Sequence, residues 1–178
     1  YQKENHQRPN WLQPYKIIEK QLKNGKKIKI AFVGLTTTET PQKTNKENLE
    51  NLEFIHPLGA AAIESLVELK KEGEVDMIVL LTHLGTNMDS IAIFEEQNAK
   101  LLPYLDNINA IITGHSHKVV LSEINHVPII QANTNGTHIG KLQFEIKMND
   151  KGKNEVRYIG GDTMKIQSRN FNSNIDSL

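Results

Sequence analysis

The run Met77-Ile78-Val79-Leu80-Leu81 has no polar position. A strand with one face in water alternates polar and apolar residues, so this one must be buried on both faces, with a layer of structure on each side. The segment ahead of it, HPLGAAAIESLVELKKEGEVD, reads as a helix from about Pro57 to Lys71. Proline suits a first helical turn, Ile63, Leu66, Val67 and Leu69 form an apolar stripe, and Gly73 is placed to end it. A helix followed by a buried strand is the signature of an α/β fold. The pattern then repeats. DSIAIFEEQNAKLLPYL (89–105) reads as a second helix, with Asp89 or Ser90 as N-cap, Ile91, Phe94 and Leu101 inward and Pro103 near the stop, and NAIITG (109–114) as the next strand.

On either side of this alternating core the texture is β. YKIIEKQLKNGKKIKIAFVG (15–34) reads as two strands around Asn24-Gly25, a pair that tolerates the positive φ angles of a tight turn; its second strand, Lys29 to Val33, looks interior. Residues 119–166 hold the short runs VPIIQA, IGKLQFEIKM and EVRYIGGDTMKI, separated by hairpin-type turns such as NDKGKN. The expectation is an α/β domain over 1–166, with helices and strands feeding one sheet and antiparallel strands after it, and a polar tail or linker over 167–178. At 178 residues, one compact domain is expected. The first residue, Tyr1, suggests a processed or trimmed polypeptide.

Lys+Arg and Asp+Glu both number 21, so no long-range field gathers a nucleic acid polymer or an anionic membrane, and any anion site must be local. With no cysteine, disulfide frameworks and thiolate-bound zinc are excluded. No apolar run is long enough for a membrane span, and no charged-then-apolar leader opens the chain.

Three of the seven histidines fall where strands end: His83 after the buried run, and His115 and His117 in GHSH after the next strand. In open α/β sheets ligands collect beyond the carboxyl ends of strands. A lone histidine is more often a hydrogen-bonded surface or core residue than a ligand, but three at one edge favour a metal-facing site, because neutral imidazole donates a lone pair while its other nitrogen is held by a partner. Gly114 permits the sharp turn that aims the pair. His6, His56, His126 and His138, in a tail, before a helix, in a turn and at a strand start, are read as structural.

These blocks resemble a known family. VDMIVLLTHLG, NAIITGHSHKVV and VPIIQANTNGTHIGKLQFEI are similar to the later metal-binding blocks of the calcineurin-like metallophosphoesterases, in the 5'-nucleotidase and 2',3'-cyclic phosphodiesterase branch. PYKIIE, NGKKIKIAFVGLTTTETP and FIHPLGAAAIESLVELKKEG resemble the segments ahead of them, so the resemblance covers most of 14–148. It implies the C-terminal half of a four-layer α/β/β/α sandwich and a hydrolase using two divalent metal ions, manganese, zinc or similar, to drive in-line attack of water on a phosphoester. Carried onto this chain, it implies that His83 and His115 serve one ion and His117 its neighbour.

The family's Asp-x-His, Gly-Asp and Gly-Asn-His blocks, and its nucleotide-clamping C-terminal domain, have no match here. Asp162 in GGD is read as a turn aspartate and left unassigned. Three histidines split between two ions do not complete a site that wants about three protein ligands per metal, so this chain alone is expected to be inactive. The missing N-terminal half would come from the same polypeptide or another chain, with self-association as a third way of covering unpaired apolar edges. The expected substrate is a nucleotide or other phosphoester. The alternatives are a non-catalytic binding or surface module that keeps the fold, and a sulfate-ester-type hydrolase of the same superfamily. The resemblance also implies a periplasmic, cell-wall or extracellular location.

Overall fold

A computed structural model describes residues 1–49, 51–56, 65, 66, 68, 69, 75–86 and 99–166. Eight strands are placed among them: β1 Tyr15–Gln21, β2 Lys27–Thr36, β3 Met77–His83, β4 Ala110–Ile112, β5 Val119–Ile124, β6 Val127–Ala132, β7 His138–Met148 and β8 Asn154–Lys165. Six form one sheet in the order β1-β2-β3-β4-β6-β5, and β7 pairs with β8 in a separate two-stranded layer. The central four, β2, β3, β4 and β6, run parallel, while β1 and β5 close the two edges antiparallel. The antiparallel segment expected after the core is therefore divided: β5 and β6 extend the main sheet, and only β7 and β8 leave it.

The apolar run of β3 is buried on both faces for the reason its sequence requires. Ile78 and Leu80 join Ala31, Val33, Leu35, Ile111 and Ile129 in the larger core, against Leu69 and Leu102 from the helical side. Met77 and Val79 face the other way, with Ala110, against Leu142, Phe144 and Val156 of the β7–β8 hairpin. Successive strand residues point to opposite faces, so a run without polar positions serves both cores at once.

Of the first expected helix, residues 65, 66, 68 and 69 are helical, and Leu69 is buried while Leu66 packs at the core margin; the remainder lies outside the described residues. The end of the second expected helix is a 3-10 segment, Ala99–Tyr104, with Pro103 inside it. The remainder of that helix and the 167–178 tail lie outside the described residues.

The β1–β2 connection turns at Asn24-Gly25 as expected, but only Gly25 takes a positive φ (83°), in a loop closed by Leu22 N–H to Lys26 O at 2.6 Å. The Asn125-His126 turn between β5 and β6 has positive φ at both positions, 48° and 63°, which suits a two-residue hairpin. Asp162 lies within β8, opposite Lys141, so the turn reading is corrected. A register irregularity opposite Gln143 and Phe144 leaves Ile159 without a strand partner, and Gly160 beside it takes a positive φ of 147°. A Cβ on Gly161 would meet Lys141 O at 2.8 Å.

Candidate metal centre

Parallel pairing brings the three sequence-predicted histidines to one edge. β2 and β3 are in register with Thr36 beside His83, and β3 and β4 with Leu81 beside Ile112, so His83 and the Gly114–Lys118 loop leave the sheet at neighbouring strand ends. The His83 and His115 rings lie 5.0 Å apart between centroids, edge to face at 74°. Gly114 lies against His83, where a Cβ would stand 3.4 Å from Nδ1, but it takes no positive φ: the sharp turn expected of it is made by His115 and His117 instead. His83 lines a cavity of about 540 Å³ whose walls also include Gly34, Thr36, Leu81, Ile112 and Gly114, the residue that precedes His115.

His115 (φ 76°) and His117 (φ 52°) both take left-handed backbone angles that non-glycine residues rarely adopt. Such conformations persist where surrounding contacts over-determine them, and they cluster at functional sites. The contacts come from Gln131 of β6, which is 1 % exposed. Its amide orientation follows from its neighbours. The oxygen accepts from the backbone N–H of His117 at 3.0 Å and of Lys118 at 3.1 Å, and the nitrogen donates to Ser116 Oγ at 2.9 Å and Thr86 Oγ1 at 3.2 Å. Thr86 Oγ1 then donates to Thr113 Oγ1 at 3.3 Å, Thr113 donates to the Leu84 carbonyl, and Thr86 N–H donates to Ser116 Oγ at 3.2 Å. A buried polar network with every member satisfied rigidifies the backbone it holds, and this one ties the loop after β3 and the histidine loop to β6.

One hydroxyl in the neighbourhood lacks this treatment. Thr82 Oγ1 is buried without a hydrogen-bond partner and belongs to a residue that lines the cavity.

His83 and His115 are thus brought together, while His117 is exposed and makes no ring contact with either. Among the described residues no group of three His, Cys, Asp or Glu side chains converges closely enough to hold an ion. The imidazole pair suits a divalent ion by donor chemistry, but it supplies only part of the coordination a metal needs. Of the other histidines, His6 stands 2.9 Å from Glu53, His126 is exposed beside Glu123 and His138 Nδ1 lies 3.0 Å from Thr137 Oγ1, and none of the three lines the cavity.

Two residues of this site escaped sequence reasoning. Glu39, in the loop after β2, places Oε2 3.2 Å from His115 Nε2. Gln131 carried a usable signal, being the single polar side chain in the apolar run VPIIQA. Glu39 carried none, since nothing in TTTETP marks which residue faces a neighbouring loop.

The chain is similar to several known proteins. It is 31 % identical over 172 residues to protein UshA of Yersinia enterocolitica, covering 83 % of this chain and 29 % of that one. It is 29 % identical over 157 residues to a 5'-nucleotidase of Vibrio parahaemolyticus, covering 76 % and 27 %. Among solved structures, the calcineurin-like phosphoesterase YfkN of Bacillus subtilis superposes with a TM-score of 0.75 at 26 % identity, covering 90 % of this chain and 54 % of that chain. The chain therefore spans less than a third of the length of these two sequence relatives. No family model matches it.

Proposed function

We infer, for a chain that belongs to the 5'-nucleotidase branch of the calcineurin-like metallophosphoesterases, that it contributes one wall of a metal-dependent phosphoester hydrolase site. The observation that carries this reading is the His83–His115 pair, 5.0 Å between ring centroids at the carboxyl ends of two parallel strands, with His83 lining a cavity of about 540 Å³. Proteins of this family generally use a dinuclear metal centre. In the proposed site His83 and His115 hold one divalent ion and His117, on the same rigid turn, faces the second. When bound, such ions polarise phosphoryl oxygens and activate water for in-line displacement.

The chain's own share of the work is positional. β3 and β4 bring His83 and His115 to one edge, and Gln131 keeps the histidine loop from relaxing. Preorganisation of this kind removes the cost of ordering ligands at each turnover. Carboxylates to bridge and complete two ions would come from a segment outside these 178 residues, in the same polypeptide or a partner chain. Nucleoside monophosphates or cyclic nucleotides are the proposed substrates, by likeness to the named relatives. The proposed location is the periplasm, cell wall or exterior; among the described residues no helix is long and apolar enough to cross a membrane.

The test is a polypeptide extended upstream of Tyr1, assayed with manganese or zinc against nucleoside monophosphates, 2',3'-cyclic nucleotides and p-nitrophenyl phosphate. Metal-dependent hydrolysis abolished by His83→Ala or His115→Ala is expected, with the 178-residue chain inactive on its own. Hydrolysis of p-nitrophenyl sulfate in preference to the phosphate would favour the sulfate-ester alternative. A polypeptide that binds metal and hydrolyses none of these would leave the non-catalytic module.

A further inference from the structure

We propose that Glu39 is the positioning residue of the histidine pair, fixing the His115 ring so that its Nε2 is engaged by a carboxylate and its Nδ1 is left as the lone-pair donor. This rests on the metal-site reading above and deepens it. An imidazole ligand binds a cation through one nitrogen only, and its basicity and orientation are set by what the other nitrogen does. Here the other nitrogen has a named neighbour: Glu39 Oε2, 3.2 Å from Nε2. Neither side chain is free in water, the His115 side chain being 25 % exposed and that of Glu39 36 %.

The carboxylate arrives there by a built path. β2 carries the chain to Thr36, and the turn that follows is pinned by Thr37, which is 3 % exposed. Glu39 N–H donates to Thr37 Oγ1 at 3.1 Å, and Thr40 Oγ1 donates to Thr37 O at 2.9 Å. Glu39 O then accepts from Gln42 N–H at 2.9 Å, in a short helical turn with proline in its first positions. The left-handed backbone at His115, fixed from below through the Ser116, His117 and Lys118 contacts of Gln131, holds the other partner. The ring is thus gripped from two sides: Gln131 sets the backbone and Glu39 sets the imidazole. His83, which lies against Gly114, has a ring neighbour in His115, so turning His115 would also disturb the pair.

A ligand-orienting carboxylate differs from a ligand and from a surface contact in what its removal does. Losing such an outer partner weakens metal binding by about 10- to 100-fold without abolishing it. Glu39→Ala and Glu39→Gln are the variants, the second because it keeps an oxygen able to accept from Nε2–H without the charge. The first measurement is made on the metal-free 178-residue chain by proton–nitrogen correlation spectroscopy, above the imidazole titration range. The wild type is expected to show a His115 Nε2–H resonance protected from solvent exchange, retained in Glu39→Gln and lost in Glu39→Ala. The second is zinc affinity of the upstream-extended polypeptide, expected to fall about 10- to 100-fold in Glu39→Ala and less in Glu39→Gln. A wild-type chain lacking a protected Nε2–H overturns the proposal, as does an Nε2–H that survives Glu39→Ala. Zinc uptake abolished by Glu39→Ala would make Glu39 a ligand and overturn it as well. If the resonance behaves as expected but the wild-type extended polypeptide binds no zinc, the metal-site reading fails while the orientation of His115 by Glu39 stands.

Discussion

The sheet face turned toward the β7–β8 hairpin has two halves with opposite fates. On one rung Phe32, Val79 and Ala110 align across β2, β3 and β4, and Val79 and Ala110 are 4 % and 1 % exposed beneath Leu142, Phe144 and Val156. Two residues further along, Gly34, Leu81, Ile112 and Ile130 form the next rung on that face. Ile130 is still covered, by the close approach of Gly140, where a Cβ would stand 2.8 Å from its Cδ1. Leu81 and Ile112 are each 42 % exposed. The cover provided by β7 and β8 ends where the sheet approaches the histidines. The half beneath the hairpin is closed, and the half that borders His83 is open.

Neighbouring residues of β3 give the strongest handle on this contrast. Leu80 is fully buried in the larger core and Leu81 points to the open half. Leu80→Ala should cost about 2–5 kcal/mol in denaturant unfolding. Leu81→Ala should cost under about 1 kcal/mol in this chain. Equal costs would mean that the open half is covered after all. In an upstream-extended polypeptide whose added segment covers the open half, the Leu81→Ala cost should rise toward that of Leu80→Ala.

Gln131→Leu comes next. It leaves the His117 and Lys118 N–H groups without their acceptor and Ser116 and Thr86 without their donor, and about 1–3 kcal/mol per stranded group is the scale of the loss. Loss of the protected His117 and Lys118 amides in hydrogen exchange would accompany it, whereas unchanged protection would remove Gln131 as the loop's anchor.

Thr82→Val is expected to act in the other direction. The Thr82 hydroxyl is buried and unpartnered, and replacing it by a methyl group of similar shape removes a stranded polar atom, so stability should stay level or rise by up to about 1–3 kcal/mol. A clear loss would show that the hydroxyl has a partner. In the extended polypeptide, a rise that vanishes would show that the added segment supplies one.

The smallest effect lies far from the site. The Lys27 ammonium hydrogen-bonds Glu19 across β1 and β2 and holds that carboxyl below its ordinary 4.5. A lowered carboxyl contributes stability that is present above its ordinary range and lost as pH falls through the folded-state value. Lys27→Ala should therefore return Glu19 to its ordinary titration, followed by carboxyl carbon shifts, and alter acid unfolding only slightly because the pair is exposed.

Much of this arrangement was legible in the sequence because it follows from patterns of one residue type. The apolar run 77–81 required layers on both sides, and Asn-Gly marked the first hairpin. The ends of the strands that became β3 and β4 put His83, His115 and His117 at one edge. The sequence did not distinguish β5 and β6, which extend the main sheet, from β7 and β8, which leave it. All four read only as short strands between turns, and which layer a hairpin joins is settled by long-range pairing such as Ile111 with Ile129. Asp162 was misread as a turn residue because Gly-Gly signals a turn as readily as an irregular strand. Glu39 stayed hidden because its role depends on a contact across 76 residues of chain, Glu39 to His115.

The central claim is that His83 and His115 are two ligands of one ion. It is tested most directly by titrating zinc into the 178-residue chain and following all seven imidazoles by nuclear magnetic resonance. The account predicts that His83 and His115 respond together with a shared midpoint, weakly because the donor set is incomplete, with His117 following separately and His6 and His126 lagging behind. If His83 and His115 stay still while exposed histidines respond, or respond with unrelated midpoints, the pair is not a metal-binding unit.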